Sequence, residues 1–294
     1  MKTLPMVAVT LLTFMSLRPA SAVAQRIPSA DMNTLPNPIG ATNSVWMEEL
    51  TVLELRDAIR MGMTTALIMT GGVEENGPYT STDKHNLVLR ATGEAIARRL
   101  SNTLVAPVIS VHQGNPETST SPGSVVLTPE TFRAVIRDYA TSLKTQGFRN
   151  IFIFGEDGGS QTQLETAAGE IAAEWGTSPV QVAYIREYYR EDPWSCVLLR
   201  QEMNIQQQPL DYCSGGGGVL YHDDYHYSAI IATVAPEHIR VQQRRDAGLF
   251  SVNGVDLDPF ETTVANGWRL IEHRTDITVR AIQEAMGAST RPGG

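Results

Sequence analysis

Apolar runs at 65–70, 104–111, 151–154 and 180–185 are separated by longer stretches whose apolar residues recur at helical spacing. A short apolar run bounded by turn residues reads as a buried strand, and strands that alternate with helices pair in parallel. The spacing predicts helices over 51–60, 84–100, 129–146 and 161–175, so the chain is of the α/β class, with a mostly parallel sheet covered on both faces. Thr128 and Pro129 make a good helix start, with the threonine as cap and proline at the first helical position. Residues 187–220 read as an irregular insertion, and 258–286 as a helix packed outside the sheet.

At 294 residues, with 42% hydrophobic residues and no linker or internal repeat, the chain is long enough for one large core. Its formal charge of −9 argues against nucleic acid or an anionic membrane as partner. The first 24 residues read as a signal peptide: Lys2 is followed by an apolar stretch over 7–15, and small residues stand at 20–24. Arg18 and Pro19 cut that stretch short of the roughly 20 apolar residues a membrane anchor needs. The expectation is therefore an exported protein, periplasmic or secreted, with no membrane contact after cleavage and one domain over 25–294. Cys196 and Cys213, the two cysteines, flank the glutamine- and glycine-rich part of the insertion, and an oxidising compartment would let them pair.

Three segments carry the chemistry. The first is Gly71-Gly72-Val73-Glu74-Glu75-Asn76-Gly77-Pro78-Tyr79, followed by Asp83. The second, Gly155-Glu156-Asp157-Gly158-Gly159-Ser160, also follows an apolar strand, so two strand ends can aim carboxylates into one crevice. The third is Tyr221-His222-Asp223-Asp224-Tyr225-His226, whose two histidines stand four apart, the spacing that shares a helix face. Carboxylates and imidazoles in this order suit one or two divalent ions that activate a water. Glycines 77, 158 and 159, with Pro78, read as loop-shaping, since glycine adopts backbone angles other residues avoid. His85, His112, His238 and His273 stand singly and read as surface or core residues. Tyr188, Tyr189 and Trp194 read as anchors of the insertion, and Gly215 to Gly218 as a flexible connector.

At these residues the sequence resembles the creatininase (creatinine amidohydrolase) family. Its members show G-S-x-E-Q-H-G-P-H, then an aspartate, F-P-G-T-x-S-L-x-P-E-T, N-G-H-G-G-N and an H-A-G-E-x-E-T-S-like run. This chain keeps the order with Gly71 to Tyr79, Asp83, Ser121 to Thr131, Gly155 to Ser160 and His222 to Ser228. The resemblance implies a three-layer α/β/α sandwich, a homo-oligomer of the family's hexameric kind, and metal-dependent hydrolysis of a small cyclic amide or a related substrate, lactones included. It implies Glu74 and Asp83 as metal ligands, Asp157 where the family has a histidine, and Asp224 near the family's later glutamate ligand, with His222 or His226 to supply nitrogen. It also implies zinc, manganese or magnesium as the ion.

Asn76 replaces a family histidine and offers only an amide oxygen, while Asp157 keeps a ligand but makes the site harder and more negative. The acid that protonates the leaving nitrogen is either a histidine of the last cluster, such as His222, or Glu156. Glu156 equally suits a charge that stabilises the start of the following helix. The substitutions at 76 and 157 leave two function classes open: an exported hydrolase of a small molecule, and a creatininase-like binding or structural protein that has lost catalysis.

Overall fold

The computed structural model describes residues 31–190, 198–207 and 223–289. The signal segment, both cysteines and His222 therefore lie outside the described residues. Asp31–Asn33 forms a short 3-10 turn, and the compact unit that carries the sheet begins at Asn37.

Helix α1, Val52–Arg60, starts in a capping box in which Thr51 accepts from the Glu54 amide and Glu54 accepts from the Thr51 amide. It leads into strand β1, Thr65–Thr70, then α2, Lys84–Leu100, and β2, Thr103–Val105. Two short strands, β3 (His112–Gln113) and β4 (Val126–Leu127), precede α3, Pro129–Gln146, which Thr128 caps as its sequence predicts. Then come β5 (Asn150–Gly155), α4 (Gln161–Trp175), β6 (Gln181–Tyr184) and a short α5 (Glu187–Arg190). After Tyr225–Val234 (α6) and Val241–Asp246 (α7), a small hairpin of Ser251–Val252 (β7) and Val255–Asp256 (β8) leads to the long Phe260–Ser289 (α8).

The main sheet has the order β2-β1-β5-β6, all parallel. Alternate side chains of the strands face opposite layers. Ala66, Ile68, Ile151 and Ile153 pack with Phe132, Ile136 and Ala140 of α3 and Leu164, Ala167 and Ile171 of α4. Leu67, Met69, Phe152 and Phe154 pack with Leu89 and Ile96 of α2, Tyr188 of α5, and Val279 and Ile282 of α8. This is the expected three-layer sandwich. A further apolar cluster joins Leu87, Val88 and Ala91 of α2 to Ala229, Ile230 and Ile231 of α6 and to Leu270 and Ile271 of α8.

Two expectations need correction. The C-terminal helix does not sit outside the sheet's layers: its second half supplies core to one face, because Val279 and Ile282 fall on the same helical face, three residues apart. The run at 104–111 is not one strand either. Pairing ends at Val105 with the Ala106 amide donating to Leu67 O, meets β1 again where Ile109 bridges Thr70, and resumes with a new partner at His112. Pro107 has no amide hydrogen to donate to a ladder, which accounts for the break.

Candidate metal centre at the strand ends

In the sheet order, β1 and β5 are adjacent, and the connections leave them toward opposite edges, which opens a crevice beyond their C-terminal ends. The loop after β1 enters it through Gly71, whose amide donates to Ile109 O at 2.9 Å, and Val73, whose carbonyl accepts from the Val125 amide at 3.1 Å. A side chain at position 71 would drive into Asn86, with a Cβ 1.9 Å from its Oδ1. At position 72 it would crowd the His112 ring, with a Cβ 3.1 Å from Nδ1, so the two glycines let α2 and β3 close on this loop.

Three side chains converge there. Glu74 follows β1, His112 starts β3 and Asp157 follows β5; one ligand atom from each lies within 4.8 Å of the others, and all three residues are buried. His112 Nδ1 stands 3.7 Å from Asp157 Oδ2 and 3.9 Å from Glu74 Oε2. His112 Nε2 is buried without a hydrogen-bond partner. Gln113 ties the two neighbouring loops together: its amide donates to Ser160 Oγ at 3.3 Å and its side chain to Gly159 O at 3.0 Å. Ser160 Oγ in turn donates to Asp157 Oδ1 at 2.5 Å.

The facing Asp157 carboxylate holds the His112 imidazolium above the usual histidine range; burial opposes it, and Glu74 and Glu75 add to it. Burial works to neutralise Asp157, but His112, the Ser160 hydroxyl and His85 outweigh it and keep its carboxyl below the ordinary value. The other oxygen of Glu74 is engaged from α2: His85 Nε2 lies 2.7 Å from Oε1, and the fully buried Lys84 Nζ 3.4 Å from it. Lys84 also sits over the Tyr227 ring, 4.4 Å from its centroid.

The sequence-predicted residues thus divide. Glu74 and Asp157 meet as expected, but their third partner is His112, which reads as a lone histidine in the sequence. Asp83 lies outside that group, at the N-cap position of α2, where its Oδ1 accepts from Asn86 Nδ2 at 2.7 Å. Asp224 and His226 lie outside it too and pair with each other. Asp224 caps α6 by accepting from the amides of His226 at 2.9 Å and Tyr227 at 3.2 Å. Helix α6 begins at Tyr225, after extended backbone at Asp224, and carries His226 in its first turn.

Glu156 is no free acid: it is fully buried in an ion pair with Arg274 of α8, beside the buried Tyr188 hydroxyl. It continues the parity of Phe152 and Phe154, so it faces the α8 side, whereas Asp157 turns to His112. Asn76 staples its loop, donating to Ser81 O at 3.0 Å and Glu74 O at 3.3 Å. Gly77, Gly158 and Gly159 are not at positive φ; Gly77 precedes Pro78 through a cis peptide, and Gly158 makes room for Tyr189, whose hydroxyl would lie 2.6 Å from an added Cβ.

A family model described as creatinine amidohydrolase matches residues 48–212, more than half of the chain. The chain belongs to the creatininase family. No curated protein sequence matches it. Among solved structures, a crystal structure of creatinine amidohydrolase (creatininase) is 18% identical with a TM-score of 0.59, the match covering 86% of this chain and 100% of that one. A structure described as creatininase Mn is 16% identical (TM-score 0.57), and a mutant creatininase of Zn-Zn type 17% identical (TM-score 0.58), each over 85% of this chain and 100% of its own. At these identities the likeness establishes the creatininase-like fold. Among the described residues no helix is long and apolar enough to cross a membrane.

Proposed function

We propose that this creatininase-family chain is an exported hydrolase of a small cyclic amide or related C–N substrate, lactones included, that uses a divalent ion held by Glu74, His112 and Asp157. The observation that carries the reading is the meeting of those three ligand atoms within 4.8 Å at the C-terminal ends of the parallel strands. Their spacing fits an ion. Atoms about 2.0–2.2 Å from a zinc-like centre stand roughly 3.3–3.6 Å apart at the tetrahedral angle, close to the 3.7 and 3.9 Å separations around His112 Nδ1. One nitrogen and two carboxylates form a donor set for zinc or manganese, the metals named for the related structures.

When bound, such an ion lowers the pKa of a coordinated water and polarises the substrate carbonyl. The chain's own residues prepare that chemistry. His85, whose Nε2 must carry the hydrogen to face a carboxylate, and Lys84 hold Glu74 Oε1 and leave Oε2 turned toward His112. Ser160 and the Gly159 amide fix Asp157. Burial of all three ligands excludes bulk water and strengthens each electrostatic contact. The signal-like start supports export, and the family supports a homo-oligomer.

The test is elemental analysis of the mature protein together with a ring-opening assay on a panel of small lactams, cyclic imides and lactones. A stoichiometry near one ion per chain, with turnover that Glu74→Ala abolishes, is expected. Less than about one tenth of an ion per chain and no turnover would give the reading up, since a competent site stays occupied through non-chelating purification.

A further inference from the structure

Arg244 of α7 is 1% exposed. Its Nε donates to Leu249 O at 3.0 Å and its Nη2 to Ser251 O at 2.7 Å, but Nη1 is buried without a hydrogen-bond partner. No carboxylate among the described residues lies within ion-pairing distance of it. The guanidinium instead lies 4.6 Å from the centroid of Tyr79, which ends the Gly71 to Tyr79 segment carrying Glu74. Phe250 approaches it as well, at 5.8 Å.

The next residue of that loop, Thr80, holds the complementary group. Its hydroxyl donates to Asp223 Oδ2 at 2.9 Å, while Asp223 Oδ1 is buried and has no partner. Asp223 is 6% exposed, and Arg244 and Lys84 both act on its charge. Consecutive loop residues thus present a buried donor with an unused N–H and a buried acceptor with an unused lone pair. Lys84, whose charge acts on Asp223, also lies 3.4 Å from Glu74 Oε1 of the metal centre. Two charged groups kept apart with unspent hydrogen bonds are costly in a protein interior unless a third group bridges them.

We infer that Arg244 and Asp223 form a recognition subsite for the N–H/C=O edge of a cyclic amide or ureide, the carbonyl accepting from Arg244 Nη1 and the N–H donating to Asp223 Oδ1. In a ring the amide is held cis, so donor and acceptor lie on one edge and engage both groups together. A carboxylate satisfies Arg244 but is repelled by Asp223; a cation does the reverse. The subsite rests on the proposed function for its place beside the metal centre, but its binding step needs no metal.

The probe is hydantoin, titrated by NMR into metal-free protein, with 1,3-dimethylhydantoin, which lacks both N–H donors, as control. Hydantoin should bind at least about tenfold more tightly than the dimethyl compound, the loss expected for a hydrogen bond to a charged group. Arg244→Met and Asp223→Ala should each weaken hydantoin by a similar factor. Equal affinity of the two hydantoins for the unmodified protein would overturn the subsite whether or not the variants fold, and so would tighter binding of acetate than hydantoin. Loss of metal in Glu74→Gln alongside failure of hydantoin to bind would overturn the subsite and leave the metal centre standing.

Discussion

His85 Nε2 lies 2.7 Å from Glu74 Oε1, while the other oxygen of the same carboxylate faces His112. The two contacts divide Glu74 between a group that orients it and the centre it serves. His85→Ala should therefore lower zinc or manganese affinity by about 10- to 100-fold, the usual effect of losing a group that orients a metal ligand. Isothermal titration of metal-free protein checks this, and an unchanged dissociation constant would show that Lys84 alone suffices.

Removing His112 itself should cost more. His112→Ala deletes the one nitrogen of the triad and leaves two buried carboxylates facing each other, so the variant should purify with metal below about one tenth of an ion per chain. Excess zinc or manganese at about 100 times its dissociation constant should stabilise the unmodified protein by about 2.7 kcal/mol, a rise of several degrees in Tm, and should leave the variant's Tm in place. Differential scanning fluorimetry with and without metal reads both.

His112 is also where sequence reading falls short. The threonine cap and proline start of α3 and most helix bounds are local signals, and the structure keeps them. Glu74 and Asp157 each follow a strand, so their approach is legible once a parallel sheet is inferred. His112 reaches them for a non-local reason. The chain after β2 leaves the sheet at Val105, re-enters beside β1 at Ile109 and brings position 112 over Gly72, and no periodicity in 104–113 encodes that detour. Asp83 shows the converse, since a motif position places it beside a helix start but does not say which way its carboxylate turns.

The buried Glu156–Arg274 pair fixes the turn that carries Asp157 to the C-terminal helix. Breaking a buried pair strands a charge, so Arg274→Met should destabilise the fold by about 3–5 kcal/mol. Glu156→Gln, which keeps the volume and removes the charge, should likewise destabilise, yet retain metal when folded. Urea denaturation with elemental analysis separates this structural role from a catalytic one: a Glu156→Gln protein of unchanged stability and abolished turnover would restore Glu156 as the acid.

Asp223 offers a test in pH. Burial, with help from Asp224, pushes its pKa from 3.8 up to about 6, against the opposing pull of the Thr80 hydroxyl, Lys84 and Arg244. Between those values the folded chain holds a proton that the unfolded chain has released. Stability from this group is therefore full below about pH 4 and falls as pH rises to about 6, reaching a constant cost of about 3 kcal/mol above that. Asp223→Asn preserves the acceptor for Thr80 and removes the titration, so its stability relative to the unmodified protein should grow from near zero at about pH 4 to a few kcal/mol at about pH 8. Urea unfolding of both proteins across that range decides it. Parallel curves for the two proteins would mean that the Asp223 carboxylate is as well solvated in the fold as in the unfolded chain, and the buried acceptor invoked for amide recognition would go with it.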